Sequence, residues 1–113
     1  MHELSITQSM FELVLEQAEK AGAKKVVNIN LVIGEMTGVV GDSVRFYLDF
    51  LSKGTVAENA ELHIRMVPAK AKCRQCGHEF ELPEYEWTCP ECKADGLEVT
   101  GGTELFLESI EVE

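Results

Sequence analysis

The chain has 113 residues, 45% of them hydrophobic, and a formal net charge of −10 from 10 basic and 20 acidic side chains. That is enough chain for one domain, or for a small domain carrying a smaller one, with a modest core. No apolar run approaches the ~18 residues of a membrane span, and the acidic balance disfavours nucleic acid, which is held through Lys and Arg contacts to phosphate.

Met1-His2-Glu3 opens the chain, and Ser5-Ile6-Thr7-Gln8 follows with the Ser-x-x-Gln form of a capping box. Ile6, Met10, Leu13, Val14, Ala18 and Ala21 then recur at helical spacing, and Gly22 is a natural stop. A helix of about sixteen residues is expected, with the first three residues at its N-terminal end. Taken alone, His2 reads as an exposed residue near a terminus, and Glu3 as a carboxylate offsetting the helix dipole.

Residues 26–34 alternate as a strand, with Val27, Ile29, Leu31 and Ile33 on one face. The glycine-punctuated stretch 34–41 lacks the Gly-Lys-Ser/Thr ending and any basic residue, so it reads as a connector and not a phosphate loop. A second helix is expected over about residues 42–52, with Val44, Tyr47, Leu48 and Leu51 inward and Gly54 beyond its end. Phe46 and Phe50 fall off that stripe and read as second-layer core, or as a partner surface if exposed. Leu62, Ile64 and Met66 form another strand closed by Pro68, with His63 on the solvated face.

All four cysteines lie in Cys73-Arg-Gln-Cys76 and Cys89-Pro-Glu-Cys92, separated by twelve residues. Phe80 and Leu82 alternate, Pro83-Glu84 interrupts, and Tyr85, Trp87 and Cys89 alternate again, which predicts a hairpin with a cysteine knuckle at each end. Gly77 suits the positive φ of such a knuckle, and Pro90 stiffens the second. Four thiolates so placed make the tetrahedral cage of a structural Zn²⁺, although iron can use the same S₄ set. Disulfides are disfavoured because no signal-peptide pattern opens the chain, and a cytoplasmic, reduced location is expected. A thioredoxin-like pair needs one Cys-x-x-Cys in a βαβ setting, which the pattern does not show. Between residues 72 and 93, Lys72, Arg74 and Lys93 face Glu79, Glu81, Glu84, Glu86 and Glu91, so this ribbon does not attract phosphate.

Residues 97–100 read as a short strand, Gly101-Gly102 as a hinge, and residues 104–112 as a last strand with Phe106, Ile110 and Val112 on one face and Leu105 and Leu107 on the other. That strand is too long for a ribbon of about thirty residues. It completes a three-stranded sheet covered by two helices, so the fold class is α+β with an inserted four-cysteine zinc ribbon. The expected division is residues 1–70 and 103–113 for the α+β domain, and 71–102 for the ribbon.

With the N-terminal Met-His-Glu, the α-β-α-β order, the Cys73/Cys76/Cys89/Cys92 ribbon and the returning strand, the chain resembles the HypA/HybF family of nickel-delivery proteins in [NiFe]-hydrogenase maturation. The resemblance covers its whole length. It implies a metallochaperone and not an enzyme, with Ni²⁺ as transferred cargo bound through Met1, His2 and Glu3. It further implies structural Zn²⁺ on the four cysteines, and as partners a HypB-type GTPase, the hydrogenase large-subunit precursor and urease accessory proteins. The amine and His2 amide share a five-membered chelate ring, and the imidazole closes a six-membered one; such nitrogen-rich tetragonal sites suit Ni(II). Some members carry a histidine after each cysteine pair. Here His78 stands alone, with Lys93 after Cys92, and reads as a solvated surface residue. A zinc-ribbon adaptor, a nucleic-acid binder and an iron electron carrier are the competing functions. No Ser/His/Asp or Cys/His constellation supports catalysis.

Overall fold

The computed structural model describes residues 3–82 and 87–113. Helix α1 spans Glu3–Lys20, and β1, Val26–Gly34, follows it. A 3₁₀ turn at Glu35–Thr37 leads to α2, Gly41–Leu51, and then to β2, Glu61–Val67. The first sheet has the order β2-β1-β6, where β6 is Leu105–Val112; β1 lies parallel to β2 and antiparallel to β6. The second sheet has the order β4-β3-β5, built from Lys70–Cys73 (β3), Glu79–Glu81 (β4) and Leu97–Gly101 (β5), all antiparallel. Two helices on a three-stranded sheet beside a small cysteine-bearing sheet is the expected α+β class.

The core is set by β1, which has neighbours on both sides. Ile29, Leu31 and Ile33 point under the helices, where Met10, Phe11, Val14 and Ala18 of α1 and Val44 and Leu48 of α2 meet them. Those α1 positions, with buried Thr7, form a stripe at 3.6-residue spacing. Leu13 lies off it and is 47% exposed, while Phe11 takes the inward place that the pattern assigned to Leu13. The helix also begins earlier than the capping box predicts. Glu3 is already helical, and the Thr7 hydroxyl donates to the Glu3 carbonyl at 2.6 Å, so Ser5 lies inside the helix.

Two other expectations are corrected. The stretch β1–α2–β2 is a βαβ unit with parallel strands, though the cysteines lie outside it. In β6, Leu107 pairs with Leu31 but Ser109 pairs with Asn30, so Glu108 is an extra residue in a bulge. The bulge shifts the alternation. Leu107 and Ile110 both pack on the helix-side core, Leu105 pairs with inward Ile33, and Phe106 pairs with Val32 across the sheet, 47% exposed. Phe46 and Phe50 are 69% and 70% exposed, because α2 buries only the Val44–Leu48 face.

The chain leaves the first sheet after β2 and returns just before β6, and both crossings pass the end of β1. Gly34 N–H donates to the Glu104 carbonyl at 2.6 Å, and Met36 N–H to the Gly102 carbonyl at 2.7 Å. A Cβ on Gly34 would stand 2.1 Å from the Gly102 oxygen. Gly102 has φ +97, and a Cβ there would meet the Ala69 backbone at 2.7 Å. No side chain fits at either place without moving main chain.

Gly34→Ala is therefore expected to destabilise the protein by about 2–3 kcal/mol, the cost of overpacking against backbone that cannot swing aside. A fall in the urea midpoint at constant slope would register it, and an unchanged midpoint would contradict this packing.

Candidate metal centre

The four cysteines converge at one end of the second sheet. Their Sγ atoms all lie within 4.8 Å of one another, with Cys73–Cys92 at 3.5 Å and Cys76–Cys89 at 3.6 Å. A disulfide would bring sulfurs to about 2 Å, whereas four Zn–S bonds near 2.3 Å set tetrahedral edges of ~3.8 Å. The residues present thus fit a tetrahedral S₄ metal site. Each pair contributes one buried cysteine, Cys73 or Cys89, and one exposed, Cys76 or Cys92.

Matching turns build the two corners. In the first, Gly77 N–H donates to the Cys73 carbonyl at 2.9 Å and Cys73 N–H to the His78 carbonyl at 2.9 Å. In the second, Lys93 N–H donates to the Cys89 carbonyl at 2.9 Å and Cys89 N–H to the Ala94 carbonyl at 2.8 Å. Gly77 and Lys93 occupy equivalent positions, with φ of +76 and +64. The strand partners differ from the predicted hairpin. The Lys70–Cys73 lead-in is itself the central strand, and β4 pairs with it. No strand is formed by residues 87–89, and residues 83–86 lie outside the described part.

The sulfurs also resist ionising together. Cys73 is pulled down to about 6, first by the Cys76 backbone N–H and against burial, with help from the Gln75 N–H and the Cys92 and Cys76 thiols. Cys76 is pushed up to about 12: the His78 N–H favours its thiolate, but the Cys89 sulfur, burial and the two remaining sulfurs outweigh it. Cys92 is raised as well, with the Ala94 N–H opposing and the Cys73 sulfur and burial prevailing. A thiolate at one corner thus hinders the next, and a divalent cation would remove that opposition.

His78 is half-buried and not fully solvated; its ring stacks on Phe80 with centroids 5.6 Å apart and planes 13° from parallel. His63 is exposed as expected, with Nε2 2.9 Å from the Asn28 Oδ1. At the other predicted site, Met1 and His2 lie outside the described residues. Glu3 is partly buried in the first turn of α1, and its Oε2 accepts the N–H of Val40, the residue that caps α2, at 3.3 Å. The stretch 34–41 is thus more than a connector: Met36 is bonded to the Gly102 crossing and Val40 to Glu3.

Residues 1–112 match the family described as "Hydrogenase/urease nickel incorporation, metallochaperone, hypA". The chain belongs to the HypA family. The chain is 47% identical over 114 residues to the hydrogenase maturation factor HypA of Caldanaerobacter subterraneus subsp. tengcongensis, covering 100% of both. It is 42% identical over 113 residues to the hydrogenase maturation factor HybF of Salmonella typhimurium, again covering 100% of both. The solution structure of the Ni metallochaperone HypA from Helicobacter pylori is similar with a TM-score of 0.66 at 26% identity, over 99% of this chain and 97% of that one. A second HypA solution structure gives a TM-score of 0.72 at 26% identity, over 100% and 97%. HypA is a family of metallochaperones and maturation factors, not of catalytic enzymes.

Reading the sequence missed Lys93. The matching Cys-x-x-Cys spacing was the available signal, since the position of Gly77 in the first turn falls on Lys93 in the second. A side chain at positive φ costs about 1 kcal/mol relative to glycine. Lys93→Gly is expected to stabilise the ribbon, read as slower amide exchange at Cys89 and Lys93. Faster exchange there would show that the lysine side chain contributes more than its backbone costs.

Proposed function

We propose that this chain is a nickel metallochaperone that takes up Ni²⁺ at its N-terminus and surrenders it during [NiFe]-hydrogenase maturation. The observation that carries the reading is the family match over residues 1–112, joined to the Met1-His2-Glu3 sequence. Ni²⁺ is cargo, held by the Met1 amine, the His2 amide and imidazole, and Glu3. An amine, a deprotonated amide and an imidazole in fused rings suit the tetragonal preference of Ni(II). A terminus has open faces, so an incoming ligand can displace the donors one at a time. Glu3 sets the exit of that terminus, because its carboxylate ties the first turn of α1 to Val40.

Zn²⁺ is the resident metal, held by Cys73, Cys76, Cys89 and Cys92. It would fold and fix the ribbon and supply no chemistry to the transfer. The chain is divided into a nickel-binding α+β domain of residues 1–70 and 103–113 and a zinc ribbon of residues 71–102. The partners are a HypB-type GTPase and the hydrogenase large-subunit precursor, with urease accessory proteins as a second outlet, and the compartment is the cytoplasm. Support for this outlet comes from the family description, which names urease beside hydrogenase. No helix among the described residues is long and apolar enough to cross a membrane.

Two measurements test the metals separately. One residue fused ahead of Met1 turns the amine into a neutral amide, and His2→Ala removes the imidazole. Each is expected to abolish specific Ni²⁺ binding while zinc stays at one per chain, because neither change reaches the cysteines. The readout is nickel titration of tag-free protein with zinc assayed in parallel. Native-like nickel affinity in both variants would end the terminus assignment.

Cys73→Ala removes one corner of the cage. It is expected to release zinc and unfold the ribbon while most helical circular dichroism remains, since α1 and α2 pack on the other sheet. Full zinc retention in that variant would exclude Cys73 as a ligand.

A further inference from the structure

The two edges of the first sheet are unlike. On β2, the Arg45 guanidinium of α2 donates to the Leu62 carbonyl, and Pro68 follows the strand end. On β6, α1 runs alongside without covering the strand, and among the described residues no strand pairs with its outer edge. Ser5 and Ser9 are too small to fill the space. A groove of about 320 Å³ opens beside them and meets a second stretch of about 550 Å³ that continues along β6. The two stretches join at Leu13, Leu105 and Phe106, which are 47%, 37% and 47% exposed. An edge strand beside an apolar trough is a template for strand addition: backbone groups supply the pairing, and the trough takes alternate side chains.

Charge selects the occupant. Glu104, Glu108, Glu111 and Glu113 lie on or beside β6, and residues 104–113 contain no lysine or arginine. A second copy pairing edge to edge would set two acidic strands against each other, and directly opposed like charges destabilise a ladder. We propose that the α1–β6 groove receives an extended segment of a partner protein, apolar and basic by turns, as a fourth strand on β6. Glu108 is already matched, with its carboxylate 3.2 Å from Arg65 of β2, so the acid left for a partner is that of Glu111 and Glu113, which form no ion pair among the described residues. Ser5 lines the groove two residues after Glu3, so a bound strand lies beside the first turn of α1. The assignment does not depend on nickel, since neither Met1 nor His2 need hold metal for a strand to dock.

The test uses the full chain and three ten-residue peptides in which valine and leucine alternate with lysine, serine or glutamate. Affinity is expected to fall in that order, by about tenfold or more from lysine to glutamate, and to weaken at about 0.5 M salt. Amide shifts on binding should concentrate in β6 and the groove side of α1. N-methylating one alternate set of backbone nitrogens in the lysine peptide should abolish binding, while methylating the other set leaves it, because only one edge of the peptide meets β6. Leu13→Lys should weaken the lysine peptide about tenfold with the melting temperature unchanged, since Leu13 is half exposed. Equal affinity for the glutamate peptide, shifts centred on Phe46 and Phe50, or no binding of any peptide at millimolar concentration would each overturn the proposal. So would a concentration-dependent dimer of the chain that Leu13→Lys disperses, which would give the groove to a second copy.

Discussion

Two glycines in van der Waals conflict with any alternative hold this structure together. Gly34 ends the central strand against the Gly102 carbonyl, and Gly102 lies against Ala69 where the chain has just left the first sheet. Main chain thus packs on main chain at the place where the outgoing and returning segments pass. Hydrogen bonds from Gly34 to Glu104 and from Met36 to Gly102 close it, so the cysteine-bearing sheet is joined to the end of β1 by two segments and not by a lone tether. Two strands entering side by side resist rotation better than one, which makes this crossing a joint of limited freedom.

The 3₁₀ turn extends that joint toward the N-terminus. Met36 in the turn is bonded to Gly102, the Thr37 hydroxyl donates to the Gly34 carbonyl, Val39 donates to that hydroxyl, and Val40 donates to Glu3. Two of these bonds lie within the loop, and the other two tie it to the ribbon crossing and to the first turn of α1. A displacement at Gly102 would therefore act first on Met36, and only through the loop backbone on Glu3.

Much of this was legible in the sequence, and the failures have physical causes. The α-β-α-β order, the return of the last strand and the insertion of the cysteine segment follow from apolar spacing and from the mismatch between strand length and ribbon size. Periodicity failed where one residue changes the phase. Glu108 bulges, and every inward residue of β6 on one side of it changes parity, so Phe106 and Leu105 exchanged faces. Leu13 and Phe11 are two positions apart on α1, and composition cannot tell which of two large apolar residues faces a sheet not yet placed. The Ser-x-x-Gln box is a local signal, and it yielded because Thr7 bonds back to Glu3 and the helix begins upstream. In the ribbon the spacing of Cys73, Cys76, Cys89 and Cys92 was sufficient, since a knuckle is built from consecutive residues. The strand pairing was not, because β3 is only four residues long and carries no alternation of its own to read.

The cysteine cage and the proposed nickel terminus ask opposite things of the protein. A tetrahedral S₄ cage is closed: each pair of cysteines is fixed by its own turn, one cysteine of each pair is buried, and a bound ion would have no free position for an incoming ligand. Such a site retains metal and is suited to shaping a surface. Cargo needs the reverse, donors on a short segment with open faces, so that a receiving site can take over one bond before the next is broken. In the proposed nickel terminus, Glu3 ties the first turn of α1 to the fold through the Val40 N–H. The proposed strand-accepting groove runs along the same helix and is lined by Ser5, so a partner's backbone docked there would reach the first turn of α1, next to the proposed nickel terminus.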